Sequence, residues 1–221
     1  MADYTNTPII VTGCARSGTS LVAGIISLCG AWTGKVTGPT QWNKKGQFEN
    51  EYIRDHLTKP YLRKIGVDPM GQNPLPTLDQ IQPEPDWRDK VTKAMRDQGY
   101  PWRMPWMFKG AKACLIWPVW HTAFPDAKWV IVRREDEKNI DSCMRTSFMR
   151  KHKTREGWQC WIDHHKQCFQ QMVDADLDVY EIWPSANLEY INTYWALINY
   201  LRLTWNEKAV REFIDPNLWG R

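Results

Sequence analysis

The sequence predicts an α/β fold, a central parallel sheet flanked by helices within one domain. Three observations carry that expectation. Short β-branched runs alternate along the chain with segments of helical period, the pattern of strands joined by crossover helices. The first run ends in a glycine turn that opens directly into a helix. A chain of 221 residues, 43% hydrophobic and 24% charged, suits one domain over residues 1–221.

Pro8–Thr12 (PIIVT) reads as a buried strand stopped by Gly13. Val22, Ile25, Ile26 and Cys29 then recur with helical period, and Gly30 stands where a C-terminal cap belongs. Asn50 opens a second helical pattern through Ile53, Leu57 and Tyr61, interrupted at Pro60. Residues 60–105 hold eight of the fourteen prolines and read as an irregular insertion with one modest helix at Trp87, Val91 and Met95. Long segments of this kind serve as lids or binding walls. Strand character returns at Trp106–Lys109, followed by a helix over Cys114–Ala123. Lys128–Arg133 (KWVIVR) is the clearest second buried strand, and Ile140, Met144 and Phe148 then repeat with period four. Trp158, Trp161, Ile162, His165, Cys168, Phe169 and Met172 form one apolar stripe. Val179–Trp183 is a late strand and Leu188–Leu203 an apolar helix.

The net charge of +4 is mildly basic, which suits a small polyanionic ligand and falls short of a nucleic-acid-binding tail. No window is apolar enough for a membrane span. The opening MADYTNTPIIVTG shows no export signal, so a cytoplasmic location with reduced thiols is expected for the six cysteines. Cys160, His164 and Cys168 share a helical face, but Trp161 and Phe169 beside them favour core packing over a metal. No metal is expected. Fourteen tryptophans supply large rigid walls for a core or a ligand.

The informative segment is Gly13-Cys14-Ala15-Arg16-Ser17-Gly18-Thr19-Ser20. A buried strand, a tight turn with glycine at each end and a helix starting there form a P-loop-type anion site. Backbone N–H groups and the helix N-terminus converge on the ligand. A nucleoside triphosphatase needs lysine where this chain has Thr19, and an acidic residue at a neighbouring strand end for magnesium. The neighbouring strand ends in Arg133-Arg134. A thiol phosphatase built on Cys14 fails too, since the sixth residue after it is Ser20 rather than arginine. The cation sits inside the loop instead, at Arg16.

With Arg16-Ser17-Gly18-Thr19-Ser20 the chain resembles the sulfotransferases that use 3′-phosphoadenosine 5′-phosphosulfate (PAPS), in which Lys or Arg followed by Ser-Gly-Thr-Ser/Thr holds the 5′-phosphosulfate. The family grips the 3′-phosphate with an arginine at a strand end and a serine eight residues on. Arg134 and Ser142 have that spacing, and Arg133 is the alternative if the turn holds an extra residue. KKGQFENEYI resembles the G-x-F-E-N segment of the branch acting on sugars and other hydroxyl acceptors, which makes Glu49 the implied general base. Glu51 competes with it, and a plain helix-terminal charge is the simpler reading. FKGAK resembles the family's Lys-x-Pro-Arg stretch; Lys109 is kept, whereas Pro-Arg is replaced by Ala111-Lys112.

The resemblance implies transfer of a sulfuryl group from PAPS to an acceptor hydroxyl on a carbohydrate or small alcohol, leaving 3′,5′-ADP, without a metal. Arg16 and Lys109 would stabilise the charge that grows on the leaving oxygen. His56, His121 and His152 are further candidate bases. The run Arg145, Arg150, Lys151, His152, Lys153 and Arg155 reads as a solvated face or an attractor for anions. A kinase with a degenerate loop and a non-catalytic nucleotide-binding protein are the alternative functions.

Overall fold

The computed structural model describes residues 7–41 and 43–218. Residues 1–6, part of the segment read as free of an export signal, lie outside the described residues. Four strands, β1 (Pro8–Gly13), β2 (Trp106–Lys109), β3 (Lys128–Val132) and β4 (Val179–Ile182), form one parallel sheet in the order β2-β1-β3-β4. Among the described residues eight α-helices accompany them: α1 (Thr19–Leu28), α2 (Lys59–Lys64), α3 (Trp87–Asp97), α4 (Trp117–Ala123), α5 (Asp136–Arg145), α6 (Arg155–Asp174), α7 (Ile191–Tyr200) and α8 (Glu207–Phe213).

The strands are apolar on both faces because both faces are covered. Ile10, Trp129 and Ile131 point into a core built with α3, α4, α5 and α6. Ile9, Val11, Val130 and Val132 point the other way, onto α1, α7 and α8. The seven-residue stripe of α6 is buried throughout, as its period requires. After β1 the chain pairs on one side with β2 and then returns to the other side with β3. The β1–β3 boundary is therefore the switch point, where α/β sheets bind ligands beyond the strand ends.

Several segments differ from the sequence expectation. Pro60 does not break its helix: it sits in the first turn of α2, where its missing N–H costs nothing, and Ile53–Thr58 ahead of it widens into a π turn. Ala111–Ile116 is 3₁₀, and the α-helical part begins only at Trp117, with Pro118 in its first turn. The four-residue repeat ending at Phe148 outruns its helix. The Thr146 hydroxyl donates to the Ser142 carbonyl at 2.7 Å, α5 stops at Arg145, and Met144 and Phe148 are exposed. The helix expected over 188–203 begins at Ile191 after a 3₁₀ turn, and α8 follows without having been foreseen.

The insertion over 60–105 is less peripheral than its prolines suggest. Tyr61, Leu62, Trp87, Val91, Met95 and Tyr100 belong to the same buried core as β1 and β3. Only a short stretch around Met70–Gln72 reaches the cavity described next. Among the described residues no helix is long and apolar enough to cross a membrane.

Candidate active site

The loop leaves β1 at Gly13, where the backbone passes so close to β3 that a Cβ would lie 2.5 Å from the Val132 carbonyl oxygen. Gly18 takes φ 99° and precedes α1 without any side-chain cap. The first N–H groups of α1 are thus left facing the loop. Arg16, with φ 72°, adopts the left-handed region that non-glycine residues avoid, a cost of about 1–3 kcal/mol that concentrates at functional sites. The Ser17 hydroxyl is buried and has no hydrogen-bond partner. Thr19 and Ser20 open α1, and the Ser20 hydroxyl donates to the Gln47 carbonyl at 3.2 Å.

Arg16 Nε donates to Ser142 Oγ at 3.0 Å, and Arg134 Nη1 donates to the Arg16 carbonyl at 2.7 Å. Three residues that are far apart in sequence therefore meet in one cluster. Burial lowers the proton affinity of both guanidiniums, and Arg16 lowers that of Arg134 further. Arg133 faces elsewhere: its Nε donates to Glu181 at 3.2 Å and its guanidinium lies over the Phe169 ring. The alternation of adjacent strand residues accounts for the split, and it is Arg134 that lies against the loop.

Glu49 is 7% exposed, in an extended segment rather than a helix. Its carbonyl accepts from Thr37 N–H at 3.1 Å. The next residue, Asn50, anchors it by donating to the Thr33 carbonyl at 3.1 Å and accepting from Ile53 N–H at 3.2 Å. Lys112 Nζ lies 3.8 Å from Glu49 Oε1, and Arg54 Nη1 lies 3.8 Å from Oε2. Burial alone would push this carboxyl up, but Lys112, Lys109, Arg54 and Lys59 together carry it below the usual glutamate value. It is held as a carboxylate. Lys109, 8% exposed at the end of β2, has its proton affinity lowered by burial, with Glu49 opposing the change. Glu51 is exposed outside this cluster.

A cavity of about 390 Å³ joins the two groups, with Arg16, Gly18, Thr19, Ser20 and Arg134 on one side and Glu49, Lys109 and Lys112 on another. Sequence reasoning missed Arg54 and Lys59 in its lining. They are five residues apart, a spacing that an α-helix splays and a π turn stacks. It also missed Phe213, Asp215 and Leu218, which come from the unforeseen C-terminal part. His165, foreseen only as part of a core stripe, lines the cavity with its pKa lowered by burial to about 4. His56, His121 and His152 do not line it. Burial pushes the Cys14 thiol far up, so it is no nucleophile. The basic run after α5 is mostly exposed, and Arg155 pairs with Asp141 at 2.6 Å. Among the described residues no group of three or more His, Cys, Asp or Glu side chains could hold a metal.

No protein-family profile and no curated protein matches the chain in sequence. Its backbone resembles the sulfotransferase domain of the Synechococcus PCC 7002 olefin synthase at TM-score 0.55 and 15% identity, covering 97% of this chain and 86% of that one. Sulfotransferase STF9 from Mycobacterium avium matches at TM-score 0.52 and 13% identity, over 95% of this chain and 67% of that one. Identities this low speak for architecture alone. The chain has the sulfotransferase fold.

Proposed function

We propose that the protein transfers a sulfuryl group from PAPS to an acceptor hydroxyl, leaving 3′,5′-ADP. The observation that carries this reading is one cavity joining an uncapped loop, with its buried, unpartnered Ser17 hydroxyl, to a buried carboxylate among lysines. The residues fit the ligand. Ser17, Gly18, Thr19 and Ser20 would hold the 5′-phosphosulfate with backbone and hydroxyl donors, while Arg134 and Ser142 would hold the 3′-phosphate.

In the transfer the bond from sulfur to the phosphate oxygen breaks as the acceptor oxygen bonds to sulfur. Glu49 takes the hydroxyl proton, having been kept ionised for that purpose by its cations. Arg16 and Lys109 stabilise the charge left on the departing phosphate oxygen. The magnesium position of a kinase is filled by Arg133 and Arg134, and the phosphate lysine by Thr19, so the reading calls for no metal. The acceptor side of the cavity, with Glu49 at its polar end, takes a small molecule.

Calorimetry with 3′,5′-ADP and with magnesium-ATP, coupled to transfer of sulfur-35 from PAPS, tests the proposal. The expected result is tight binding of 3′,5′-ADP, little binding of magnesium-ATP, and labelled product. Arg16→Ala should keep its circular dichroism and lose transfer by on the order of 10²–10³-fold, the worth of one oxyanion donor. Preferential binding of magnesium-ATP, or an Arg16→Ala variant at full rate, would overturn the reading.

A further inference from the structure

The geometry points to an acceptor with one reacting hydroxyl on an apolar body, an alcohol or phenol rather than a carbohydrate; this rests on the sulfotransferase reading above. The base fixes which part of the cavity receives the acceptor. Glu49 faces Lys112, and the Lys112 stem lies against Gly71, where a Cβ would come within 2.8 Å of its Cγ. Beyond Gly71 the wall continues through Met70, Gln72, Phe148, Met149, Trp161 and His165.

Most polar groups of that wall are spent on one another. The N–H groups of Met70, Gln72 and Asn73 donate to the Asp68 carboxylate at 3.0–3.2 Å, and Gly71 N–H donates to the Asp68 carbonyl at 2.9 Å. Gln72 Nε2 donates to the Phe148 carbonyl at 2.8 Å, and its Oε1 accepts from Arg150 N–H at 2.9 Å and Lys151 N–H at 3.2 Å. Trp161 Nε1 donates to the Gly71 carbonyl at 2.8 Å, and His165 Nδ1 donates to the Trp161 carbonyl at 2.8 Å.

A sugar laid against this wall, away from the cations around Glu49, would give up the water on its hydroxyls there and find few partners in return, which disfavours it. An apolar body loses nothing there. Met70 and Phe148 are 44% and 38% exposed, so the same wall offers apolar surface that a ligand can cover. The reacting hydroxyl alone needs polar neighbours, and it has them in Glu49 and the cations around it, Lys112, Lys109, Arg54 and Lys59. Polar end and apolar wall together describe an amphipathic alcohol.

The test uses the full chain with sulfur-35-labelled PAPS and two acceptor sets, 2-naphthol and 1-decanol against methyl glucoside and chitobiose. Binding of 3′,5′-ADP is measured on the same preparation. The apolar alcohols should exceed the sugars in kcat/KM by on the order of a hundredfold or more. Phe148→Ser, at a partly exposed position, should raise KM for 2-naphthol about tenfold while 3′,5′-ADP affinity stays unchanged. Sugars accepted as well as the alcohols, or an unaltered KM in Phe148→Ser, overturn the proposal. So does intact 3′,5′-ADP binding with no transfer to either alcohol, an outcome that leaves the donor reading standing. Failure to bind 3′,5′-ADP removes the donor reading, and the acceptor proposal with it.

Discussion

The loop over 13–20 and the wall formed by residues 70–72 with 148 and 149 border the same cavity and differ in how their polar groups are used. The loop keeps some of them in reserve: the Ser17 hydroxyl is buried without a partner, and α1 has no side-chain cap. The wall has consumed its own. Asp68 gathers the N–H groups of the turn, and Gln72 ties that turn to Phe148, Arg150 and Lys151. A region that leaves buried polar groups unmet advertises a polar ligand, because the ligand recovers their desolvation cost. A region that has met them presents only shape and apolar surface.

The largest effect is expected at the carboxylate between the two regions. Glu49→Gln keeps the shape of the side chain but takes no proton, and turnover should fall by on the order of 10²–10⁴-fold. Affinity for 3′,5′-ADP should not change, and the exposed Glu51→Gln should stay within about a factor of two, since an exposed helix-end charge is worth tenths of a kcal/mol. Steady-state kinetics on the purified variants decide it, and the reverse ranking would move the base to Glu51.

On the loop side, Arg134→Ala should weaken 3′,5′-ADP by about 1.5–3 kcal/mol, the loss of a charge-assisted contact. Calorimetry should show a smaller loss for 5′-AMP, which lacks the 3′-phosphate and feels only the loosened hold on the loop at the Arg16 carbonyl. Equal losses for the two nucleotides would confine Arg134 to holding the loop.

The smallest effect expected is in pH dependence. Glu49 is held below the ordinary glutamate value, with Lys112 the leading cation, so its carboxylate form persists to a lower pH than usual. Activity that needs this carboxylate is therefore lost only as pH falls through that depressed value. Lys112→Met removes a cation, and the acidic limb of kcat/KM should move to higher pH. A limb that stays in place would mean that the other lysines and Arg54 suffice.

Much of the loop was legible in the chain because it is contiguous. Eight residues in a row specify strand end, turn and helix start, and their hydrogen-bonding groups belong to the local backbone. The opposed directions of Arg133 and Arg134 follow from strand alternation, although which of them meets the loop needed the register of β1 against β3. Residues 60–105 were harder to read. Eight prolines suggested an excursion, yet Trp87, Val91 and Met95 pack into the main core. Prolines mark where regular structure is interrupted and say nothing about burial. Arg54 and Lys59 were missed because a period of 3.6 cannot reveal a pair five residues apart.

Legible in the chain alone were the alternation of buried strands and helices, the glycine-bounded loop with Arg16 inside it, and Glu49, Lys109, Arg134 and Ser142 as candidates. Each of these is written in short-range pattern, where backbone geometry couples neighbouring residues directly. Only the tertiary structure decided that Arg16 reaches Ser142 across 126 positions, and that Lys112 stands beside Glu49. It alone showed the wall near that carboxylate to have its polar groups already satisfied. Satisfaction of a hydrogen bond belongs to a pair of groups, and for Gln72 with Phe148, Arg150 and Lys151, and for Trp161 with Gly71, the partners come from segments that the chain joins only by folding.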